Sequence, residues 1–175
     1  MPRILILAAT LALLATPACK RVHHPNPNAT VEEESELSSS IRMADPSDSA
    51  QLLSGFYNLE QNAWRWTTKQ FSISLACPKS STPSPGRLEF QFTIPDVAAD
   101  ALAGLTVSAS VEGRSLGSYH AVKPGEQTAV FSVPPEIMQA DALIVDFSLD
   151  KTIPRREAET RDLGVIALAF RLARP

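Results

Sequence analysis

Residues Phe71-Ser72-Ile73-Ser74-Leu75-Ala76-Cys77 alternate apolar side chains with small or polar ones without a break. Period-two alternation puts Phe71, Ile73, Leu75 and Cys77 on one face of an extended chain, the pattern of a strand buried on one side only. It recurs in Arg87 to Ile94, with Leu88, Phe90, Phe92 and Ile94 inward, and in Leu105 to Val111 and Thr128 to Val133. Ala142 to Leu149 follows with Leu143, Val145, Phe147 and Leu149 inward, and the last run, Leu163 to Leu172, offers Ile166, Leu168, Phe170 and Leu172 to one face. With shorter candidates at Phe56-Tyr57 and Leu116 to Tyr119, about seven or eight strands are expected. Half-buried strands at this spacing pair antiparallel and must cover their apolar faces with a second sheet, so the predicted fold is all-β, a single antiparallel β-sandwich of jelly-roll type.

The segments between strands agree. Pro78 to Gly86 holds three prolines and four Ser or Thr, Glu112-Gly113-Arg114-Ser115 reads as a tight reversal, and Lys123-Pro124-Gly125-Glu126 as a β-turn. Asp96 to Leu105, with Asp96 as cap, and Glu136 to Ala140 are short helical turns at most. Fourteen prolines against seven glycines suit hard turn punctuation better than long helices. A net charge of -3 leaves no basic surplus for a phosphate backbone, so nucleic acid is not an expected partner.

The first residues read as an export signal: Met1-Pro2-Arg3 begins positively, Ile4 to Ala15 carries no charge, and Thr16-Pro17-Ala18 sets small residues before Cys19. An apolar run of about 12 residues is shorter than the roughly 20 a spanning helix needs. The end of this signal resembles a bacterial lipoprotein signal, whose cysteine is acylated and becomes the new N-terminus, which implies a membrane anchor at Cys19. Thr16 stands where that pattern prefers Leu. The alternatives are a cut after Ala18 that leaves Cys19 as a thiol or as a disulfide partner of Cys77, and an uncleaved anchor. Lys20 to Ser49 is rich in Pro, Asn, Ser and Glu and poor in large apolar residues. Such a segment buries too little surface to offset its ordering entropy. The expected organisation is a cleaved signal at 1–18, a flexible tether at 19–49 and the sandwich at 50–175. His23 and His24 fall in the tether without two further metal ligands nearby, and Asn28-Ala29-Thr30 matches a glycosylation acceptor in a chain with a bacterial type of signal.

Gly55 to Thr67 carries both tryptophans and one of the two tyrosines, together with Glu60 and Arg65. On a strand, Trp64 and Trp66 share one side and Arg65 faces the other. Two readings stand: the tryptophans pack into the sandwich while Glu60 pairs with Arg65 or Arg161, or the rings form a platform for pyranose C–H faces while Glu, Arg and Asn bond the hydroxyls.

Gly55-Phe56-Tyr57 through Glu60, then Trp64-Arg65-Trp66-Thr67 and finally Arg161-Asp162-Leu163-Gly164-Val165 resemble an accessory β-sandwich domain found beside bacterial glycosyltransferases and in exported proteins of polysaccharide gene neighbourhoods. That pattern runs from an aromatic-glutamate entry through Arg-Trp-Thr to a late Asp-Arg-x-Leu-Gly motif. Here the late motif is Thr160-Arg161-Asp162-Leu163-Gly164, in a different order, and the likeness spans roughly residues 50 to 174. The resemblance implies a sandwich and a carbohydrate context, without an activity. The candidate binding residues are Tyr57, Glu60, Trp64, Arg65, Trp66, Arg161 and Asp162.

Chemistry finds little support. His120 is the sole histidine after residue 24, no serine stands in a Gly-x-Ser-x-Gly elbow, and no phosphate loop or metal-ligand spacing is present. A paired-carboxylate glycosidase would have to draw on Glu60, Asp146 and Asp162 from distant segments. No catalytic residue, metal or cofactor is therefore expected. The chain reads as an exported, membrane-anchored envelope protein that binds a glycan or another envelope protein. The alternatives are a purely structural or assembly lipoprotein and, third, a glycan-active enzyme.

Overall fold

The structure, a computed structural model, describes residues 37–174 apart from Arg156 and Ala158. The signal segment, Cys19, His23, His24 and Asn28 lie outside the described residues. Among the described residues there are nine strands: β1 (Ser40–Arg42), β2 (Leu52–Phe56), β3 (Arg65–Ala76), β4 (Gly86–Ile94), β5 (Thr106–Val111), β6 (Arg114–His120), β7 (Gly125–Val133), β8 (Ala142–Leu149) and β9 (Ile166–Ala173). All pairings are antiparallel. One sheet runs β1-β9-β4-β7 and the other β2-β3-β8-β5-β6, so each layer of the predicted sandwich draws strands from along the chain, with β2–β3 and β5–β6 as hairpin neighbours within one layer.

Strand β3 belongs to both sheets. Arg65 and Trp66 pair with Ala167 and Ile166 of β9, whereas Gln70 to Ala76 pair with β8, so the chain turns the corner of the sandwich across Thr67 to Lys69. Between the layers lie the inward residues the alternation predicts: Phe71, Ile73 and Leu75 of β3 with Cys77 just after it, Leu88, Phe90, Phe92 and Ile94 of β4, and Leu143, Val145, Phe147 and Leu149 of β8. Phenylalanines dominate this core. Phe90 stacks on Phe170 with centroids 4.5 Å apart, and Phe71 on Phe147 at 5.0 Å. Offset stacking of this kind adds to the burial of the rings themselves.

Three expectations are corrected. The parity read across β9 breaks at Leu168: Gln91 of β4 pairs with Ala169 but Phe92 with Ala167, so Leu168 is the extra residue of a bulge. Val165, Ala167, Phe170 and Leu172 are therefore buried, while Ile166 and Leu168 are only half-buried. The folded part also begins before residue 50. Ile41 of β1 and Met43 are buried in the core, Met43 N donates to Leu168 O at 2.9 Å, and the 3-10 helix Pro46–Gln51 leads into β2. Gln51 is buried with both ends of its amide used, accepting from Ser38 N and donating to Ser38 O and Ser74 O. Residues 38–49, read from composition as tether, thus close one side of the sandwich. The short helical turn near residue 96 is the 3-10 segment Asp96–Ala98, whose cap position is Pro95, not Asp96.

Candidate functional site

Beyond the end of β2 the chain continues as an extension of the β2–β3 ladder. Tyr57 N donates to Trp66 O at 2.9 Å, Glu60 N to Trp64 O at 2.9 Å, and Ala63 N to Glu60 O at 3.0 Å. The reversal is made by Gln61 and Asn62, both left-handed with φ of 51° and 54°. Asn tolerates that region because its short amide finds local partners. Arg65 fastens the hairpin from beneath, its guanidinium donating to Tyr57 O at 3.1 Å and Ser49 Oγ at 3.3 Å.

The segment between β8 and β9 folds back onto this hairpin. Ile153 N donates to Leu163 O at 2.7 Å, which closes a loop carrying Arg155, Glu159, Arg161 and Asp162. Its exit is laced to the corner of β3: Gly164 N donates to Thr67 O at 2.7 Å, Thr67 N to Val165 O at 2.9 Å, and Val165 N to the fully buried Thr67 Oγ1 at 3.1 Å. Gly164 is required by the approach, since a Cβ there would stand 2.5 Å from Thr67 Oγ1.

Arg161 joins the two elements. Its Nη1 donates to Glu60 Oε1 at 2.8 Å, its Nε and Nη2 to the two carboxylate oxygens of Glu159 at 2.9 and 2.8 Å, and its guanidinium carbon lies 5.1 Å from the centroid of the Tyr57 ring. Tyr57 OH donates to Asp162 O at 3.1 Å. The Asp162 carboxylate is itself gripped by Arg155, with Nε to Oδ1 at 2.9 Å and Nη2 on Oδ2. Charge-assisted bidentate pairs favour the ionised carboxylate. The Arg161 side chain, aided by the Arg161 backbone N–H, holds Glu159 down at about 2, and Arg155 holds Asp162 below its ordinary range. Arg161 is pushed upward in turn by Glu159 and then Glu60. Arg161, Glu60 and Glu159 are each about one-third exposed, at 35, 35 and 34%, so solvent screens these pairs and the network's weight lies in positioning more than in stability.

Five of the seven candidate residues, Tyr57, Glu60, Arg65, Arg161 and Asp162, thus come together at one corner. Of the two partners expected for Glu60, the structure selects Arg161. Trp64 and Trp66 flank the cluster, Trp64 as the ladder partner of Glu60 and Trp66 opposite Ile166. Both are half-buried and stand outside the phenylalanine core. Arg155 and Glu159 were not singled out by sequence, where they belonged to a charged loop without a motif. Beside Tyr57 an open hollow of about 540 Å³ is lined by Thr68, Lys69, Gln70 and Asp162.

Of the three acids considered for a glycosidase, two are engaged by arginines. Glu60 and Asp162 are each tied to an arginine, and Asp146 lies exposed on the outer face of β8 in a serine-lined trough of about 490 Å³ that meets the Tyr57 hollow at Gln70. An aspartate held low by an arginine is ionised at neutral pH and lacks the proton a general acid needs. His120 sits exposed on β6, its Nδ1 3.0 Å from Thr106 Oγ1. Among the described residues no group of three or more His, Cys, Asp or Glu is placed to hold a metal ion. Cys77 is buried at the end of β3 and, among the described residues, has no sulfur partner. No described helix is long and apolar enough to cross a membrane.

No family model matches the sequence, and no curated protein matches it. Solved structures do share its shape. A family GH115 4-O-methyl-alpha-glucuronidase with specificity for decorated arabinogalactans aligns over 73% of this chain at a TM-score of 0.50 and 11% identity. The chain spans only 17% of that enzyme's length, and at this identity the likeness concerns the fold alone. A family 35 carbohydrate binding module from Clostridium thermocellum aligns over 77% of this chain and 97% of its own, at a TM-score of 0.45 and 11% identity. A ruminal GH26 endo-beta-1,4-mannanase follows at 0.39 and 9%, covering 78% of this chain and 25% of its own.

Proposed function

We propose that this chain is an exported, lipid-anchored, non-enzymatic envelope protein whose sandwich binds carbohydrate at the corner formed by Tyr57, Trp64, Trp66 and the Arg161 network. The observation that carries the reading is where the large aromatics fall. The core is completed by phenylalanines and aliphatic residues, and Tyr57, Trp64 and Trp66 take no part in it. Aromatic rings left half-exposed beside fixed donors and acceptors suit a pyranose, which presents an apolar C–H face and a rim of hydroxyls. Arg155, Arg161 and Arg65 hold the surrounding loops in place by hydrogen bonds, so little ordering remains to oppose binding. The acids at this corner are committed to arginines, which favours recognition over turnover.

Titrating the mature protein with a panel of envelope and plant polysaccharides, followed through tryptophan emission, tests the reading directly. A bound saccharide should perturb the emission, and Tyr57→Ala should weaken it by about ten-fold. Silence across every saccharide class would overturn it in favour of an assembly role or a protein partner. Anchoring rests on Cys19 and its preceding small residues: globomycin should block processing, and Cys19→Ser should release the protein from the membrane fraction.

A further inference from the structure

Resting on the saccharide reading above, we infer that the sugar seated against Tyr57 carries an acidic group, which Lys69 neutralises. Arg65, Lys69, Arg155 and Arg161 are the cations of this corner, and Glu60, Glu159 and Asp162 are its paired acids, with Glu157 exposed on the same loop. Most of this charge is already paired. The donors of Arg161 are spent on Glu60 and Glu159, and those of Arg155 on Asp162. Arg65 is half-buried and turned inward, bonded only to the neutral oxygens of Tyr57 and Ser49. Of these four cations Lys69 alone is exposed with no carboxylate partner among the described residues, and it lines the same hollow as Tyr57 and Asp162.

The backbone explains why Lys69 faces out at that point. Residues 67 to 69 fall between the part of β3 paired to β9 and the part paired to β8, so Lys69 sits on the corner, next to a hollow open enough for a sugar unit. Thr68 spends its hydroxyl on Gln70 O, which leaves the exposed Gln70 amide as the neutral polar side chain available to ring hydroxyls. One ring face of Tyr57 is occupied by Arg161, and the remaining contact falls to the sugar. An aromatic seat, an amide and one uncompensated ammonium within a single hollow match an acidic monosaccharide unit better than a neutral one. Carboxylate, sulfate and phosphate share the required charge.

Calorimetric titration of the mature protein with tetragalacturonate, its methyl-esterified counterpart, a sulfated dextran oligosaccharide and a phosphorylated mannan fragment separates these sources. At least one acidic probe should bind about two- to five-fold more tightly than the neutral ester at low salt. That preference should vanish in Lys69→Gln and shrink when sodium chloride rises from about 50 mM to about 0.5 M. Lys69 is exposed, so the variant should keep the fold, which circular dichroism checks. Neutral saccharides that bind as well as every acidic one, or a preference that survives Lys69→Gln, overturn this inference and leave the saccharide reading standing. Binding of no saccharide at all overturns both.

Discussion

Placing Tyr57 at the corner depends on how closely β2 lies against β3, and Gly55 is the point of contact. It has a φ of +79°, and a Cβ there would stand 2.2 Å from Gln70 O and 2.6 Å from Phe71 Cα. These are backbone atoms of a strand paired on its other side to β8, so they cannot swing away as a flexible side-chain end would. Gly55→Ala therefore carries two penalties. Left-handed backbone costs an L-residue about 1–2 kcal/mol, and an overpacked contact adds about 1–3 kcal/mol, for a combined loss of roughly 2–5 kcal/mol. Gly104→Ala isolates the first, because Gly104 has a φ of +63° with no atom within 4 Å of its virtual Cβ. Urea unfolding read through tryptophan emission gives both values on one scale, provided the slope is unchanged. Gly55→Ala should be the worse by about 1–3 kcal/mol. If the two variants lose equal stability, β2 does not approach β3 this closely, and the argument that it carries Tyr57 onto Asp162 fails.

Thr67→Val keeps shape but strips the acceptor from Val165 N–H, and an unpaired buried donor should cost about 1–3 kcal/mol in the same assay; a neutral change would mean the amide finds another partner. Arg161 holds Glu159 at about 2 against its ordinary 4.5, so the pair contributes stability present above about pH 4.5 and lost as pH falls toward 2; because the pair is one-third exposed the contribution is small, and Glu159→Gln should make the acid limb slightly shallower, whereas a steeper limb would refute the pairing. Burial pushes the Cys77 thiol upward, so the native protein should be silent to a thiol reagent at about pH 8 and react on unfolding; prompt native labelling would place Cys77 at the surface.

The alternation over Phe71 to Cys77 and in β4 and β8 was legible because buried side chains alternate there with more exposed ones without a break. Strand β9 was readable as a strand yet misread as to face, because the bulge at Leu168 is decided by pairing with β4, and nothing local marks it. Strand β1 was hidden for another reason. It is three residues long and lies in a polar stretch, so averaging over the segment outweighs the two apolar side chains, Ile41 and Met43, that the core takes in. Tyr57, Glu60, Arg161 and Asp162 were reached through motif likeness, since Glu60 and Arg161 are 101 residues apart and no periodicity links them.

That separation bears on what each residue does. The loop from Ile153 to Leu163 meets the Tyr57–Trp66 hairpin through Arg161 on Glu60 and Tyr57 on Asp162, contacts that are polar and partly exposed. Pairs of this kind are worth about 0.2–1 kcal/mol each, enough to bias the loop's position but little of the domain's stability. Arg161 is then a positioning residue and Lys69 a contact. Arg161→Ala should leave the unfolding midpoint nearly unchanged, accelerate amide exchange between Ile153 and Leu163, and weaken acidic and neutral saccharides alike, because Tyr57 loses its support. Lys69→Gln should leave exchange untouched and act on acidic saccharides only. Were Arg161→Ala to reproduce that charge-selective pattern, the guanidinium would be meeting the ligand itself, and the roles assigned to these two cations would have to be exchanged.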